Sequence, residues 1–226
     1  MTMRYKSLSP LLLLLATALF LGQWAARGGA SPAGSDASGA TVWPVTQPGP
    51  NRQVATFAAG CFWSMEAIFK QLKGVDHVDP GYAGGTLANP SYEQVETGTT
   101  GHAESVNVIY DPKVISYRQL LQVLLTVRDP TTLDQQGNDS GPQYRSVIFY
   151  RNPAQKQIAE TAIHEVGASH VWQNPIVTKV EPFTHFYRAE DYHLDYYILH
   201  PDEDYCRYVI APEIAKFQAE YKGLLK

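Results

Sequence analysis

The spacing of apolar residues along the chain predicts strands and helices in a definite order. Between residues 104 and 110, Val106, Val108 and Tyr110 alternate with a mostly polar face, which is typical of a strand with one buried face. After Gly60 the apolar positions recur at i, i+4, i+7, i+8 and i+11, which predicts an amphipathic helix. The members of that stripe are Cys61, Met65, Ile68, Phe69 and Leu72.

The order of the predicted elements indicates the class of fold. Strands are expected at 53–58, 75–82, 104–110 and 145–150, with helices at 61–72 and 116–127. A helix at 153–166, a strand at 175–183 and helical segments at 190–199 and 211–221 follow. The order strand, helix, strand, strand, helix, strand predicts an α+β fold, a ferredoxin-like two-layer sandwich with helices packed on a mixed sheet. The polar stretch at 129–144 is too long for a simple connection and is expected to be functional.

The first thirty residues have the layout of a secretory signal peptide. Arg4 and Lys6 precede an apolar run at 11–22, and small residues follow up to Ala30. The run is shorter than the ~20 residues that a membrane-spanning helix needs. We expect a signal peptide at 1–30, a flexible linker at 31–51 and the folded domain at 52–226. The protein would then be exported, periplasmic or secreted after cleavage; the alternative is a membrane anchor formed by an uncleaved N-terminus.

The amino-acid composition indicates a globular protein that does not bind nucleic acid. The chain has 226 residues, of which 44% are hydrophobic and 18% charged, and its formal net charge is −4. This composition suits one globular domain, expected to be a monomer, and the absence of a Lys/Arg stripe indicates no nucleic acid partner. The two cysteines, Cys61 and Cys206, would ordinarily form a structural disulfide in an oxidising compartment, and this interpretation stays open beside a catalytic one.

The position of Cys61 indicates reactive chemistry. Gly60 allows a tight turn from strand into helix, and Cys61 then lies in the first helical turn, where free N–H groups and the helix dipole favour an anion. We therefore expect a lowered thiol pKa and a nucleophilic thiolate. Phe62 and Trp63 lie off the apolar stripe, so they are expected to line a pocket for a methyl or thioether group. The alternative is ordinary packing of all three side chains in the core.

Glu104 is the candidate acid of the site. It shares the strand face of Val106, Val108 and Tyr110, and a carboxylate on a buried face is costly. We expect its pKa to be raised, so that the side chain can donate a proton near neutral pH. The alternative is a strand end at which the carboxylate is already in solvent.

Six short motifs resemble those of the peptide methionine sulfoxide reductase A family. They are GCFW at 60–63, GYAGG at 81–85, NPSY at 89–92, GHAE at 101–104, QGNDSGPQYRS at 136–146 and YC at 205–206. The motifs occur in the family's order, and the resemblance covers about Thr56 to Tyr221. It implies a two-layer α+β sandwich. It also implies reduction of the S-epimer of methionine sulfoxide, free or in oxidised proteins and peptides, and hence protein repair.

The resemblance implies a role for particular residues. Cys61 would attack the sulfoxide sulfur, Glu104 would protonate its oxygen, and Phe62 and Trp63 would hold the ε-methyl group of the substrate. Cys206 would resolve the sulfenic acid as a disulfide. The other substrate-binding residues implied are Tyr92 and Tyr144, which hydrogen-bond the oxygen, Asp139, which orders a water, and Tyr196, which lines the site.

The same resemblance implies no cofactor other than an external dithiol, a thioredoxin-like reductant. No metal is expected, since His102 and Glu104 are too few donors for a site. The chain departs from the family pattern at Ser64, at Pro142 and at Glu96, which stands where many members carry a further cysteine. Cys206 is also alone where many members have two recycling cysteines, so the recycling step is less closely defined than the reduction step.

Two other classes of function stay open at this stage. A cysteine hydrolase or acyltransferase would use His102 as the base for Cys61 and would form an acyl-enzyme. An exported domain without catalytic activity would use a Cys61–Cys206 disulfide as a staple.

Overall fold

The computed structural model describes residues 33–36 and 41–226, so the predicted signal peptide at 1–30 lies outside the described residues. The strands are β1 (Gly34–Ser35), β2 (Thr41–Val42), β3 (Gln53–Ala58), β4 (Val75–Ala83), β5 (Ala103–Tyr110), β6 (Gln135–Gln136), β7 (Asp139–Ser140), β8 (Val147–Tyr150), β9 (Lys179–Pro182) and β10 (Phe186–Arg188). The helices are α1 (Phe62–Lys70), α2 (Tyr92–Glu96), α3 (Tyr117–Val127), α4 (Pro153–Ala168), α5 (Tyr196–Leu199) and α6 (Ala211–Glu220). In this part of the chain, no helix has both the length and the apolar character required to cross a membrane.

One mixed sheet forms the centre of the domain. Its strand order is β10-β4-β5-β3-β8-β9, in which β8 and β9 are parallel and the other neighbours are antiparallel. Because β3 lies between β5 and β8, the four inner strands have the order of two interleaved βαβ units. The predicted α+β fold with a ferredoxin-like mixed sheet is therefore confirmed.

Local sequence signals explain the elements that support the site. Ser116 accepts a hydrogen bond from the backbone N–H of Gln119, and the Gln119 side chain accepts one from the N–H of Ser116, which forms the capping box at the start of α3. The strand β5 is buried on both faces: Val106, Val108 and Tyr110 join the main core. The opposite face of β5 is also buried, in part by a smaller apolar cluster. The alternation of apolar and polar residues in this strand therefore does not indicate a face exposed to solvent.

Part of the segment predicted as a linker contacts the sheet. The backbone N–H and the hydroxyl of Thr46 donate hydrogen bonds to Asp79 at 2.9 and 3.0 Å. Asp79 is fully buried and also contacts His77 and Arg188. The guanidinium carbon of Arg188 lies over the ring of Trp43, 6.0 Å from the centroid of that ring. These contacts attach the described stretch before β3 to the β10 edge of the sheet.

Candidate active site

Cys61 lies at the junction between β3 and α1 and caps the N-terminus of that helix. Gly60 precedes it with a φ of +78°, a conformation that favours glycine. A Cβ atom at this position would lie 2.4 Å from Nη2 of Arg128 and 2.5 Å from Cβ of Gln136. The close approach of Arg128 and Gln136 therefore requires glycine. Cys61, the next residue, is only 5% exposed.

The pKa of the Cys61 thiol is raised well above its ordinary value. Burial is the main cause, and the charge of Glu104 adds to it. A hydrogen bond with the Tyr205 hydroxyl and those from the N–H groups of Trp63 and Ser64 act in the opposite direction. The sequence-based prediction of a lowered thiol pKa is therefore wrong, because the helix N-terminus is present but burial outweighs it. The group at rest is a neutral thiol.

Glu104 lies beside this thiol at the start of β5 and is 2% exposed. Its Oε2 accepts a hydrogen bond from the backbone N–H of Phe62 at 2.9 Å. Burial raises the Glu104 pKa well above its ordinary value, and the nearby charges of Glu96 and Asp139 raise it further. The predicted rise in this pKa is confirmed, and the alternative of a solvated carboxylate is wrong. A carboxylic acid thus faces a thiol in a buried site.

The aromatic residues after Cys61 take different positions. The ring of Phe62 is fully buried and packs against Tyr92, with the ring centroids 6.4 Å apart. Trp63 is partly buried and stacks on Tyr196, with centroids 3.8 Å apart and planes 6° apart. Phe62, Trp63, Tyr92 and Tyr196 therefore form one aromatic wall next to the thiol.

Two tyrosine hydroxyls near the acid have carboxylate partners. The hydroxyl of Tyr144 donates to Glu96, at 3.1 Å from Oε2 and 3.4 Å from Oε1. The hydroxyl of Tyr205 donates to Oδ2 of Asp139 at 2.5 Å and is also a hydrogen-bond partner of Cys61. Burial raises the pKa of both phenols, so each keeps its proton near neutral pH. Tyr205 therefore links Asp139 to the Cys61 thiol. The water-ordering role that the resemblance implies for Asp139 stays a prediction.

Cys206 is the first residue of a π-helical turn, Cys206–Ile210, that leads into α6. The residues before it at 201–204 are exposed. The thiol itself is fully buried. Burial also raises its pKa. Both Cys61 and Cys206 are free, and the structure therefore represents the dithiol form of the protein.

His102, the base in the hydrolase interpretation, is already engaged. Its Nδ1 accepts from the backbone N–H of Gly85 at 3.1 Å, and its Nε2 lies 2.8 Å from the carbonyl oxygen of Leu87. The ring therefore holds its proton on Nε2 and has no free nitrogen to deprotonate Cys61. Within residues 33–36 and 41–226, no group of three or more His, Cys, Asp or Glu could hold a metal ion.

Several residues of the site were not assigned a role from the sequence. Tyr205 was noted only as part of the YC motif, and Glu96 only as a departure from the family pattern. His193 accepts a hydrogen bond from the Trp63 indole at 3.1 Å, and burial lowers its pKa to about 4, so it is neutral. Arg128 is buried, donates to the carbonyl oxygen of Ala59 at 2.8 Å and thereby supports the turn before Cys61.

Comparison with known proteins identifies the same family that the sequence motifs resemble. A family model described as peptide methionine sulfoxide reductase matches residues 53–224. MsrA of Thermus thermophilus is 51% identical over 174 residues, which cover 77% of this chain and 98% of the relative. MsrA of Polynucleobacter asymbioticus is 48% identical over 176 residues, which cover 78% and 93%.

Solved structures agree with these sequence matches. Reduced Mxr1 of Saccharomyces cerevisiae has a TM-score of 0.66 and 35% identity, and the match covers 71% of this chain and 93% of that one. Methionine sulfoxide reductase A of Corynebacterium diphtheriae has a TM-score of 0.63 and 33% identity, with 71% and 80% covered. Together with the thiol and the carboxylic acid at the start of α1, these matches mean that the chain belongs to the peptide methionine sulfoxide reductase family.

Proposed function

We propose that the protein reduces the S-epimer of methionine sulfoxide, free or in oxidised proteins, with Cys61 as nucleophile and Glu104 as acid. The observation that carries this proposal is the buried pairing of the two groups: Glu104 accepts from the N–H of Phe62, the residue that follows Cys61. A leaving sulfoxide oxygen needs a proton, and a carboxyl with a raised pKa can supply it. Family membership supports the same reaction.

The proton balance of the reductive step fits the raised pKa values of both groups. One thiol and one sulfoxide give one sulfenic acid and one thioether, so no net proton is taken up or released. The sulfur of Cys61 bonds to oxygen and is oxidised, while the substrate sulfur is reduced. Glu104 donates its proton to the oxygen and recovers the one that Cys61 loses. A site that begins with both groups protonated can therefore complete this step.

The surrounding residues can hold the substrate for this chemistry. The hydroxyl of Tyr92 stays protonated and is suited to donate a hydrogen bond to the sulfoxide oxygen. The hydroxyl of Tyr144 also stays protonated and can donate to the same oxygen once it exchanges its bond to Glu96 for one to the substrate. The ring faces of Phe62 and Trp63 suit the methyl group that is bonded to the sulfur. Tyr196 stacks on Trp63 and keeps its indole ring in place.

Recycling in this proposal uses Cys206. Its sulfur attacks the sulfenic sulfur of Cys61, and the proton of the Cys206 thiol passes to the leaving hydroxyl, so a disulfide forms and water is released. A thioredoxin-like dithiol then reduces the disulfide. Because the Cys206 thiol is buried in this dithiol form, the segment that carries it would have to open before an external dithiol could reach that sulfur. Relatives include the Mxr1 protein of Saccharomyces cerevisiae, for which a complex with Trx2 has been solved.

Export is part of the proposal. The signal-like composition of residues 1–30 supports a periplasmic or secreted enzyme that repairs proteins after cleavage of the signal, and an uncleaved N-terminal anchor is the alternative. Mass determination of the mature N-terminus, together with fractionation of the producing cell, distinguishes the two. An intact N-terminus in the soluble cytoplasmic fraction would contradict both.

Turnover of the separated epimers tests the reaction itself. A peptide with either the S- or the R-epimer of methionine sulfoxide is incubated with reduced protein and dithiothreitol, and methionine is quantified. We expect activity on S alone. In Cys206→Ser without dithiothreitol, dimedone should label Cys61 once the substrate has reacted. Equal rates on both epimers, or activity on R only, would exclude the proposed specificity. The variant Cys61→Ser should form no methionine.

A further inference from the structure

A cluster of polar side chains joins the helix that begins at Cys61 to the helix that follows Cys206. Nη1 of Arg128 donates hydrogen bonds to Oγ of Ser64, at 3.0 Å, and to the carboxylate of Glu213. The Ser64 hydroxyl donates to Oε2 of the same carboxylate at 2.5 Å. Ser64 lies in the first turn of α1 and Glu213 in the first turn of α6, so these contacts connect the two helices near their N-termini.

These three side chains, Ser64, Arg128 and Glu213, form a clasp that is largely closed to water. Ser64 and Arg128 are buried, and the Glu213 side chain is 25% exposed. Nε of Arg128 also donates to the carbonyl oxygen of Ala59 at 2.8 Å, which ties the clasp to the chain just before Cys61. Because removal of one partner leaves the other charge in a site with little water, such a pair is costly to open.

The clasp lies close to both thiols along the chain. Ser64 follows Cys61 by three positions, which is about 5 Å along a helix. Glu213 follows Cys206 by seven positions, which is about 10 Å along a helix but up to about 24 Å in an extended chain. While the start of α6 stays wound and attached to α1, the clasp therefore limits how far Cys206 can move away from Cys61.

We propose that Glu213 is a positioning residue for recycling: through Ser64 and Arg128 it holds the start of α6 against α1, so that Cys206 stays within reach of the Cys61 sulfenic acid. This inference rests on the resolving role proposed for Cys206. In that step the sulfur of Cys206 bonds to the sulfur of Cys61, and the sulfenic hydroxyl leaves as water with the proton of the Cys206 thiol.

The expected effect is on the effective concentration of the Cys206 thiol. An attack within one chain proceeds at a rate that depends on how closely the tether holds the two reacting groups. A fixed start of α6 keeps the tether short, whereas a frayed start lengthens it. Glu213 would therefore act on the formation of the disulfide and leave the earlier attack of Cys61 on the sulfoxide unchanged.

The first test follows both steps in one rapid-quench experiment, in which methionine and the Cys61–Cys206 disulfide are quantified after substrate is mixed with reduced protein. In Glu213→Ala we expect methionine release at the wild-type rate and disulfide formation slowed by about tenfold. Glu213→Gln keeps an oxygen that can accept from both donors and should retain most of the wild-type rate. Glu220→Ala removes an exposed carboxylate from the same helix and should change neither step.

The second test measures the effective concentration of Cys206 by competition. Dimedone added with the substrate traps the Cys61 sulfenic acid, and mass spectrometry gives the ratio of the dimedone adduct to the disulfide. This ratio should rise about tenfold in Glu213→Ala. Ser64→Ala keeps the ion pair and should raise the ratio by a smaller factor. In the Glu213→Ala background, Ser64→Ala should have little further effect, because the hydroxyl acts through that carboxylate.

Two outcomes would overturn the inference. Disulfide formation at the wild-type rate in Glu213→Ala would show that the clasp does not position Cys206. Equal slowing of methionine release and disulfide formation would show that Glu213 only supports the fold around Cys61. Failure of the proposed function has a different signature, since the wild-type protein itself would then release no methionine or form no Cys61–Cys206 disulfide.

Discussion

Replacement of Glu104 by glutamine removes the acidic proton of this side chain and leaves its other contacts in place. The amide oxygen of glutamine can still accept the N–H of Phe62, which Glu104 now binds at 2.9 Å, and the side chain keeps its size. The amide can hydrogen-bond the sulfoxide oxygen but cannot protonate it. We expect the reductive step to slow by ~10²–10⁴, the usual contribution of a general acid. This corresponds to about 3–5 kcal/mol in the activation free energy.

The structure also predicts what this substitution leaves unchanged. Glu104 raises the pKa of Cys61 only in its ionised form, and its own raised pKa favours the neutral form. Glu104→Gln should therefore change the apparent pKa of the Cys61 thiol little. This pKa is measured from the pH dependence of alkylation. Both measurements are made in a Cys206→Ser background, so that Cys61 is the only thiol.

The pH dependence of the reductive step gives the sign of the effect. A group with a raised pKa holds its proton below that pKa and loses it above, so the acid-dependent part of the wild-type rate should disappear as the pH rises through the Glu104 pKa. The ratio of wild-type to Glu104→Gln rates should fall over the same range. Rapid-quench measurement of methionine provides these rates, with Glu160→Gln, an exposed carboxylate on α4, as the control. A ratio near one at all pH values would remove Glu104 from the mechanism.

Two further substitutions and one oxidation experiment also have expected outcomes. Cys206→Ser should release about one methionine per enzyme and retain Cys61 as a dimedone-reactive sulfenic acid, but should not cycle with a thioredoxin-like dithiol; normal cycling would show that the reductant attacks the sulfenic acid directly. Met65 is 1% exposed, so mass spectrometry after mild peroxide treatment should find it unoxidised in folded protein; rapid oxidation would argue against its shielding. Gly60→Ala should lower the free energy of unfolding by about 1–3 kcal/mol because of the φ of +78° and the contact with Arg128, and an unchanged denaturant midpoint would contradict this.

The elements that sequence predicted well are those with local signals. The strand β3 at Gln53–Ala58 was predicted at its observed bounds, and the predicted helix at 116–127 matches α3 with its N-cap Ser116. The strand β10 was missed because its three residues are too few for an alternating pattern and pair only with residues 81–83. The five-residue helix α2 was hidden in a Gly- and Thr-rich loop for a similar reason.

The site shows the same division between local and distant effects. The start of a helix at Cys61 could be predicted from adjacent residues, but the burial that raises the thiol pKa comes from distant parts of the chain. The contacts of Tyr144 with Glu96 and of Tyr205 with Asp139 join residues that are 48 and 66 positions apart. Glu104 was predicted correctly because one strand face contains both the acid and the core residues that bury it.

The π-helical turn at Cys206 has a consequence for the geometry of recycling. Ala211 donates its backbone N–H to the carbonyl oxygen of Cys206, five residues back, instead of to the residue four back. A turn of this kind contains one more residue than an α-helical turn. If that N–H instead donated to the carbonyl oxygen four residues back, the turn would become α-helical. Its extra residue would then lengthen the segment before α6. The Cys206 thiol could then rotate out of the core while α6 keeps its register and its packing, so oxidation would cost a local rewinding rather than the unfolding of a helix.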